Sequence, residues 1–170
     1  MRWPQPLWPR ALATRTVVNC ATLGALGRKL PAPGTWGSLA GVLYFTVFFY
    51  RASAIGTLIA TAIVGYIAVA LCGEAEIRLG KKDPGEVILD EFVVMPLCFL
   101  GWASIVRVWP AWAVLLGGFA LFRFYDILKP LGIRRLQVLP GGWGVVLDDV
   151  AAALAACATL HVGGWLWTLR

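Results

Sequence analysis

Charge is scarce in this chain: 14% of its 170 residues are Asp, Glu, Lys or Arg, against roughly 25% in an ordinary soluble domain. That shortage excludes a free-standing soluble globule. Acidic residues are absent before Glu74 and after Asp149, so all nine lie within these 76 residues. There is one histidine, His161, remote from every acid, which excludes a phosphohistidine or Ser-His route to catalysis. The four cysteines (Cys20, Cys72, Cys98 and Cys157) have no Cys-x-x-Cys spacing, which leaves neither a structural zinc nor a redox pair and makes them small apolar core residues. No Gly-Lys-Ser/Thr phosphate loop is present, nor a dinucleotide fingerprint after a strand. With 59% apolar residues, disorder and a disulfide-stapled secreted fold are excluded as well.

What is present is long apolar sequence. Five stretches stand out: 39–50, 53–73, 87–106, 108–122 and 150–169. The second holds no charge over about 20 residues, the length that crosses ~30 Å of hydrocarbon. The expected fold is therefore all-α, a multi-pass transmembrane bundle of about five apolar helices, the first short enough to be re-entrant. Residues 1–30, basic and interrupted by early prolines, read as an uncleaved interfacial segment, and 31–170 as one membrane-embedded domain. If all five stretches cross, twelve of the fifteen Lys and Arg fall on one side, Arg2 among them, and Arg51, Arg107 and Arg170 on the other. The positive-inside rule places the first side in the cytoplasm. Tryptophans divide the same way, with Trp3, Trp8, Trp36 and Trp143 toward the cytoplasm and Trp102, Trp109, Trp112, Trp165 and Trp167 beyond the far interface. The net charge of +6 then follows from orientation and anionic headgroups, and no nucleic-acid partner is implied.

In this threading every acid lies in a cytoplasmic loop or in the first turns of a helix leaving it. Asp90 and Glu91 enter the third stretch, and Asp148 with Asp149 precede the fifth. Carboxylates near hydrocarbon cost up to about 2.5–3.5 kcal/mol each and persist where a cation compensates them. First-turn acids also suit the helix dipole, which accounts for Asp148 and Asp149 but less well for Asp90, Glu91 and Asp126, embedded in apolar sequence. Arg123, Asp126 and Lys129, spaced i, i+3, i+6 in "FRFYDILKP", fall on one stripe, and Pro130 stops the helix there. Two cations with one carboxylate suit a phosphate-plus-metal site or, more blandly, a salt-bridge ladder. Two glycine-rich stretches, "PGTWGSLAG" (33–41) and "PGGWGVVLDD" (140–149), open onto apolar helices. They can present backbone N–H groups to an anion, or serve only as helix entries capped by Ser38 and by Asp148 or Asp149. The remaining chemistry is hard-oxygen chemistry, in which carboxylates hold Mg²⁺ beside a phosphate.

Read together, "PGTWGSL", "DPGEVILDEFV", "FRFYDILKPLGI" and "GGWGVVLDD" resemble the signature blocks of the phosphatidylglycerophosphatase A family, from about Pro33 onward. The resemblance implies a Mg²⁺-dependent membrane phosphatase that converts phosphatidylglycerophosphate to phosphatidylglycerol at the cytoplasmic face of the bacterial inner membrane. It implies an acidic, metal-holding centre of Asp83, Asp90, Glu91, Asp126, Asp148 and Asp149. Arg123 and Lys129 would face phosphate, and Gly34, Thr35, Gly37 and Ser38, with Gly141, Gly142 and Gly144, would form loops around it. The chain departs from the family pattern at Gly132 (usually Pro), Val94 (usually Gly) and Ala153 (usually Gly), and no charged group is lost.

Hydrolysis of a glycerophospholipid monoester is thus the expected activity, by water directly or through a phosphorylated carboxylate. The rivals are an ion- or proton-coupled transporter, which predicts carboxylates near the bilayer midplane, and a non-catalytic lipid-binding or assembly protein. The CDP-alcohol phosphotransferases also use clustered aspartates, but their Asp-Gly-x-x-Ala-Arg opening is absent. Oligomeric state is not legible in the sequence.

Overall fold

Ser53 starts the most apolar helix, its hydroxyl accepting from the Gly56 amide at 3.1 Å, and Gly80, in the left-handed region, ends it. A computed structural model describes residues 4–170, so Arg2 and Trp3 of the tallies above lie outside the described residues. Among the described residues eight α-helices run in chain order: α1 (Thr14–Ala21), α2 (Ala25–Lys29), α3 (Pro33–Phe48), α4 (Ala54–Leu79), α5 (Leu89–Val94), α6 (Trp102–Ile105), α7 (Ala111–Leu128) and α8 (Gly142–Thr168). Short 3-10 turns join them, and no strand occurs among the described residues. The structure is all-helical, and α4, α7 and α8 are long and apolar enough to cross a membrane.

Three expectations are revised. The stretch 39–50 belongs to α3, which starts at Pro33 and whose 16 residues rise only ~24 Å. The stretch 87–106 is not one helix: α5 passes into the 3-10 turn Met95–Phe99 and then α6. Pro96 removes an amide donor, and Gly101, at φ 72°, turns the chain. Finally, α8 begins eight residues before Val150, which puts Asp148 and Asp149 in its second turn, where they cap nothing.

The break exposes the Leu100 carbonyl, and α8 supplies its partners: His161 Nε2 at 2.7 Å and the Cys157 thiol at 3.6 Å. His161 is thus a packed structural side chain. His161→Leu is expected to cost about 1 kcal/mol, the worth of one hydrogen bond to a partly buried carbonyl, read as a lower melting temperature in detergent. Of the cysteines, Cys72, Cys98 and Cys157 are buried as expected, whereas Cys20 is exposed.

Side-chain contacts fix the directions of the helices. Gly34, at the start of α3, faces Glu91 of α5, while Phe45 meets Phe99 and Trp102 with ring centroids 4.5 and 5.2 Å apart, so α3 runs alongside 89–102. Further on, Ile105 and Trp109 reach Gly164 and Gly163 of α8. In contrast, α4 and α7 run the other way, with Val69 and Gly73 of α4 against Gly142, and Lys129 after α7 against Asp148. One end of the bundle therefore gathers the start of α3, the end of α4, α5, the end of α7 and the start of α8.

The amino-terminal segment is seated on that same end. Gln5 joins α4 to α8, donating to the Val69 carbonyl at 3.0 Å and accepting from the Gly142 amide at 3.1 Å. Arg78 donates to the carbonyls of Pro9 and Leu12, and also holds Glu74 at 2.9 Å. That i, i+4 pair carries α4 on to Leu79, past the expected boundary at Gly73.

Candidate active site

Each element at this end delivers its polar residues for a local reason. Pro130 cannot follow a helical residue comfortably, so α7 stops at Leu128 and Lys129 takes the left-handed conformation, φ 46°. Its ammonium then turns back over Asp126, one turn earlier, and reaches Asp148 of α8. Gly142 lets α8 approach α4 closely, because a Cβ there would strike the Val69 carbonyl. The same approach sets Asp148 and Asp149, 2% and 3% exposed, toward α5 and α7.

Six carboxyl groups line one cavity of about 110 Å³: Asp83, Asp90, Glu91, Asp126, Asp148 and Asp149, with Lys129 and the backbone of Gly85. They come from four separated parts of the chain, and all six belong to the set that the sequence implies. Arg123 fastens the cluster to α7, one terminal nitrogen lying 3.0 Å from Glu91 Oε1, 2.7 Å from Asp126 Oδ2 and 3.4 Å from Ser38 Oγ. Lys129 Nζ lies 3.6 Å from Asp126 Oδ1 and bonds Asp148 Oδ2. Burial works against its charge, but the hydrogen bond and negative charge of Asp148 outweigh it, so the Lys129 ammonium is held above its ordinary range and stays protonated. Both halves of the i, i+3, i+6 stripe are thus real ion pairs, and each cation also reaches beyond its own helix.

Among the described residues no three His, Cys, Asp or Glu side chains already form a metal-holding arrangement. The two cations draw oxygens of Glu91, Asp126 and Asp148 to themselves. What they leave is informative: Asp90 Oδ1, Glu91 Oε2 and Asp148 Oδ1 are buried with no hydrogen-bond partner. Buried carboxylate oxygens without partners are costly, and hard oxygen donors from several elements are what Mg²⁺ or Ca²⁺ accepts. The donor set fits a hard divalent cation.

The glycine-rich stretches lie differently from the loops the resemblance implies. "PGTWGSLAG" is the first part of α3 itself, and Gly34 and Gly37 are the gaps into which the Glu91 carboxylate fits; a Cβ on Gly37 would come within 2.8 Å of it. Ser38 is fully buried, donates to the Gly34 carbonyl at 2.8 Å and meets Arg123, so it positions that guanidinium. Thr35 is half-buried in the first turn of α3 and borders neither the cavity nor the openings beside it. Gly142 packs against α4, whereas Gly141 borders an opening of about 230 Å³ next to Asp83. No local pattern marks Gln5, which fixes the start of α8, or Arg28, which borders the other opening, because both act through contacts remote in the chain or outside any motif.

Comparison with known proteins places the chain in a family. The model of the family described as Phosphatidylglycerophosphatase A matches residues 19–163. The chain is 40% identical to Phosphatidylglycerophosphatase A of Haemophilus influenzae, over 74% of this chain and 75% of that one. It is 30% identical to Phosphatidylglycerophosphatase A of Escherichia coli K12, over 81% and 77% of the two chains. It is also 32% identical, over 79% and 85%, to a Bacteroides thetaiotaomicron protein whose name, given only provisionally, is phosphatidylinositol-3-phosphatase. No solved structure matches the chain. A phosphatase hydrolase by these relatives, the chain belongs to the phosphatidylglycerophosphatase A family.

Proposed function

We propose that the protein hydrolyses the terminal monoester of phosphatidylglycerophosphate, giving phosphatidylglycerol and inorganic phosphate, with Mg²⁺, at the cytoplasmic face of the inner membrane. The observation that carries this reading is the convergence of six carboxyl groups and Lys129 on one small cavity, with Arg123 paired to two of those carboxylates and three of the carboxylate oxygens lacking partners. The names of the relatives supply the substrate. Asp90, Glu91, Asp126, Asp148 and Asp149, with Asp83 at the rim, would hold the ion. Bound there, Mg²⁺ would offset the charge that otherwise keeps a phosphate out of an acidic cavity and would polarise the phosphoryl group.

This chain's own groups do the rest. Arg123 and Lys129 take the phosphoryl oxygens and stabilise the charge that spreads over them as the ester bond breaks. A carboxylate of the cluster accepts one proton of the attacking water and returns it to the departing glycerol oxygen, so that ester plus water becomes alcohol plus phosphate. The basic residues and the tryptophans support a cytoplasmic site and a chain that crosses five times: α4 and α7 run toward the acidic end, so residues 80–110 must return between them, and α3 lies alongside that return. A transporter would hold its carboxylates midway along the helices, whereas here they gather at one end.

The direct test is phosphate release from short-chain phosphatidylglycerophosphate by purified protein. Release with Mg²⁺, abolished by EDTA and restored by added Mg²⁺, is expected. Undiminished release in EDTA would overturn the metal role, and no release with any ion would overturn the assignment. Phosphatidylinositol 3-phosphate belongs in the same assay, given the name of the Bacteroides relative.

A further inference from the structure

Two openings adjoin the acid-lined cavity, and each offers a different cation. The larger, about 700 Å³, is bordered by Arg28, Pro33, Gly34, Glu86, Glu91 and Arg123. The smaller is bordered by Lys82, Asp83 and Gln137. Arg28 takes no part in the cluster described above. Its Nε donates to the Gly24 carbonyl at 3.1 Å and a terminal nitrogen donates to Asn19 Oδ1 at 2.6 Å. Both acceptors are neutral, so the guanidinium is held without being neutralised, and it makes no ion pair among the described residues. Two of its five N–H donors are engaged, which leaves a planar fork free for an anion. Glu86 borders the same opening and opposes an anion there, but it does not pair with Arg28. In the smaller opening, which Asp83 also borders, Lys82 donates to the Gln137 carbonyl at 3.1 Å, and an ammonium there lacks the bidentate fit.

The lipids named for the relatives share a feature the catalytic cluster does not address: each carries a phosphodiester as well as the monoester. With the monoester between Arg123 and Lys129, the diester has to lie in one of the two openings. The larger one also leads toward the exposed apolar flank of α3, where Trp36, Leu39 and Leu43 are 40%, 47% and 63% exposed, a surface suited to acyl chains. Resting on the lipid-phosphatase reading, we infer that Arg28 binds the headgroup phosphodiester and so selects lipids that carry two phosphates.

The experiment measures kcat and KM for short-chain phosphatidylglycerophosphate and Ki for inorganic phosphate in the wild type, R28Q, R28K and K82Q. R28Q is expected to raise KM about tenfold, the usual worth of one charge-assisted hydrogen bond, with kcat and the phosphate Ki within about twofold. R28K, keeping charge but not the fork, should fall between, and K82Q should match the wild type. An unchanged KM in R28Q overturns the inference, as does a phosphate Ki rising in step with KM, or a KM increase in K82Q alone. A wild type that releases no phosphate defeats the proposed function instead, which keeps the two failures distinct.

Discussion

Asp126→Asn is expected to lower kcat for phosphatidylglycerophosphate by about 10²–10³-fold. Asp126 is the carboxylate that holds both cations, Arg123 on one oxygen and Lys129 on the other. Asparagine keeps the shape but offers one acceptor and no charge, so both cations lose their common anchor and the cluster loses a carboxylate. The fold should survive, because Arg123 retains Glu91 and Lys129 retains Asp148. A melting temperature in detergent within a few degrees of the wild type, with kcat collapsed, is the predicted pair of readings. Activity within threefold of the wild type would remove Asp126 from the catalytic centre.

The second large effect concerns packing. Gly142→Ala places a Cβ against the Val69 carbonyl and within 2.8 Å of the Gly73 amide. Both are backbone atoms of α4, so no side chain can swing aside and the helices must separate. Overpacking of this kind costs about 1–3 kcal/mol, and the backbone contact puts Gly142 at the upper end, roughly 6–12 °C in melting temperature for a chain of this size. Phosphate release should fall as well, since the start of α8 carries Asp148 and Asp149. Gly65→Ala is the matched control on α4: a Cβ there meets nothing within 4 Å, and its melting temperature should hold or rise. Equal behaviour of the two variants would refute the close approach at Gly142.

Much of this was legible because charge is expensive in apolar sequence. Asp90, Glu91, Asp126, Asp148 and Asp149 stand out for that reason, and the stripe Arg123, Asp126, Lys129 is legible because helical spacing and Pro130 are both local facts. The shape of 89–105 was harder, since Pro96 and Gly101 mark a break but not the carbonyl it exposes or the His161 that answers it, sixty residues away. The role of "PGTWGSLAG" stays open in the sequence for a related reason: glycines suit an anion-binding turn and a close helix contact equally well, and only the position of Glu91 distinguishes them. Gln5 and Arg28 carry no motif at all. Their significance depends on which distant backbone or cavity they meet, which no local pattern encodes.

The amide of Gln5 has a consequence for how the protein is made. Its two partners, Val69 and Gly142, are synthesised long after it and far apart in time, and Asp148 and Asp149 follow the second of them. Synthesis therefore has to pass Gly142 before the Gln5 amide can close both bonds, and a nascent chain shorter than that lacks two of the six carboxylates. A lipid phosphatase built this way completes its acidic cavity only after the start of α8 has been made.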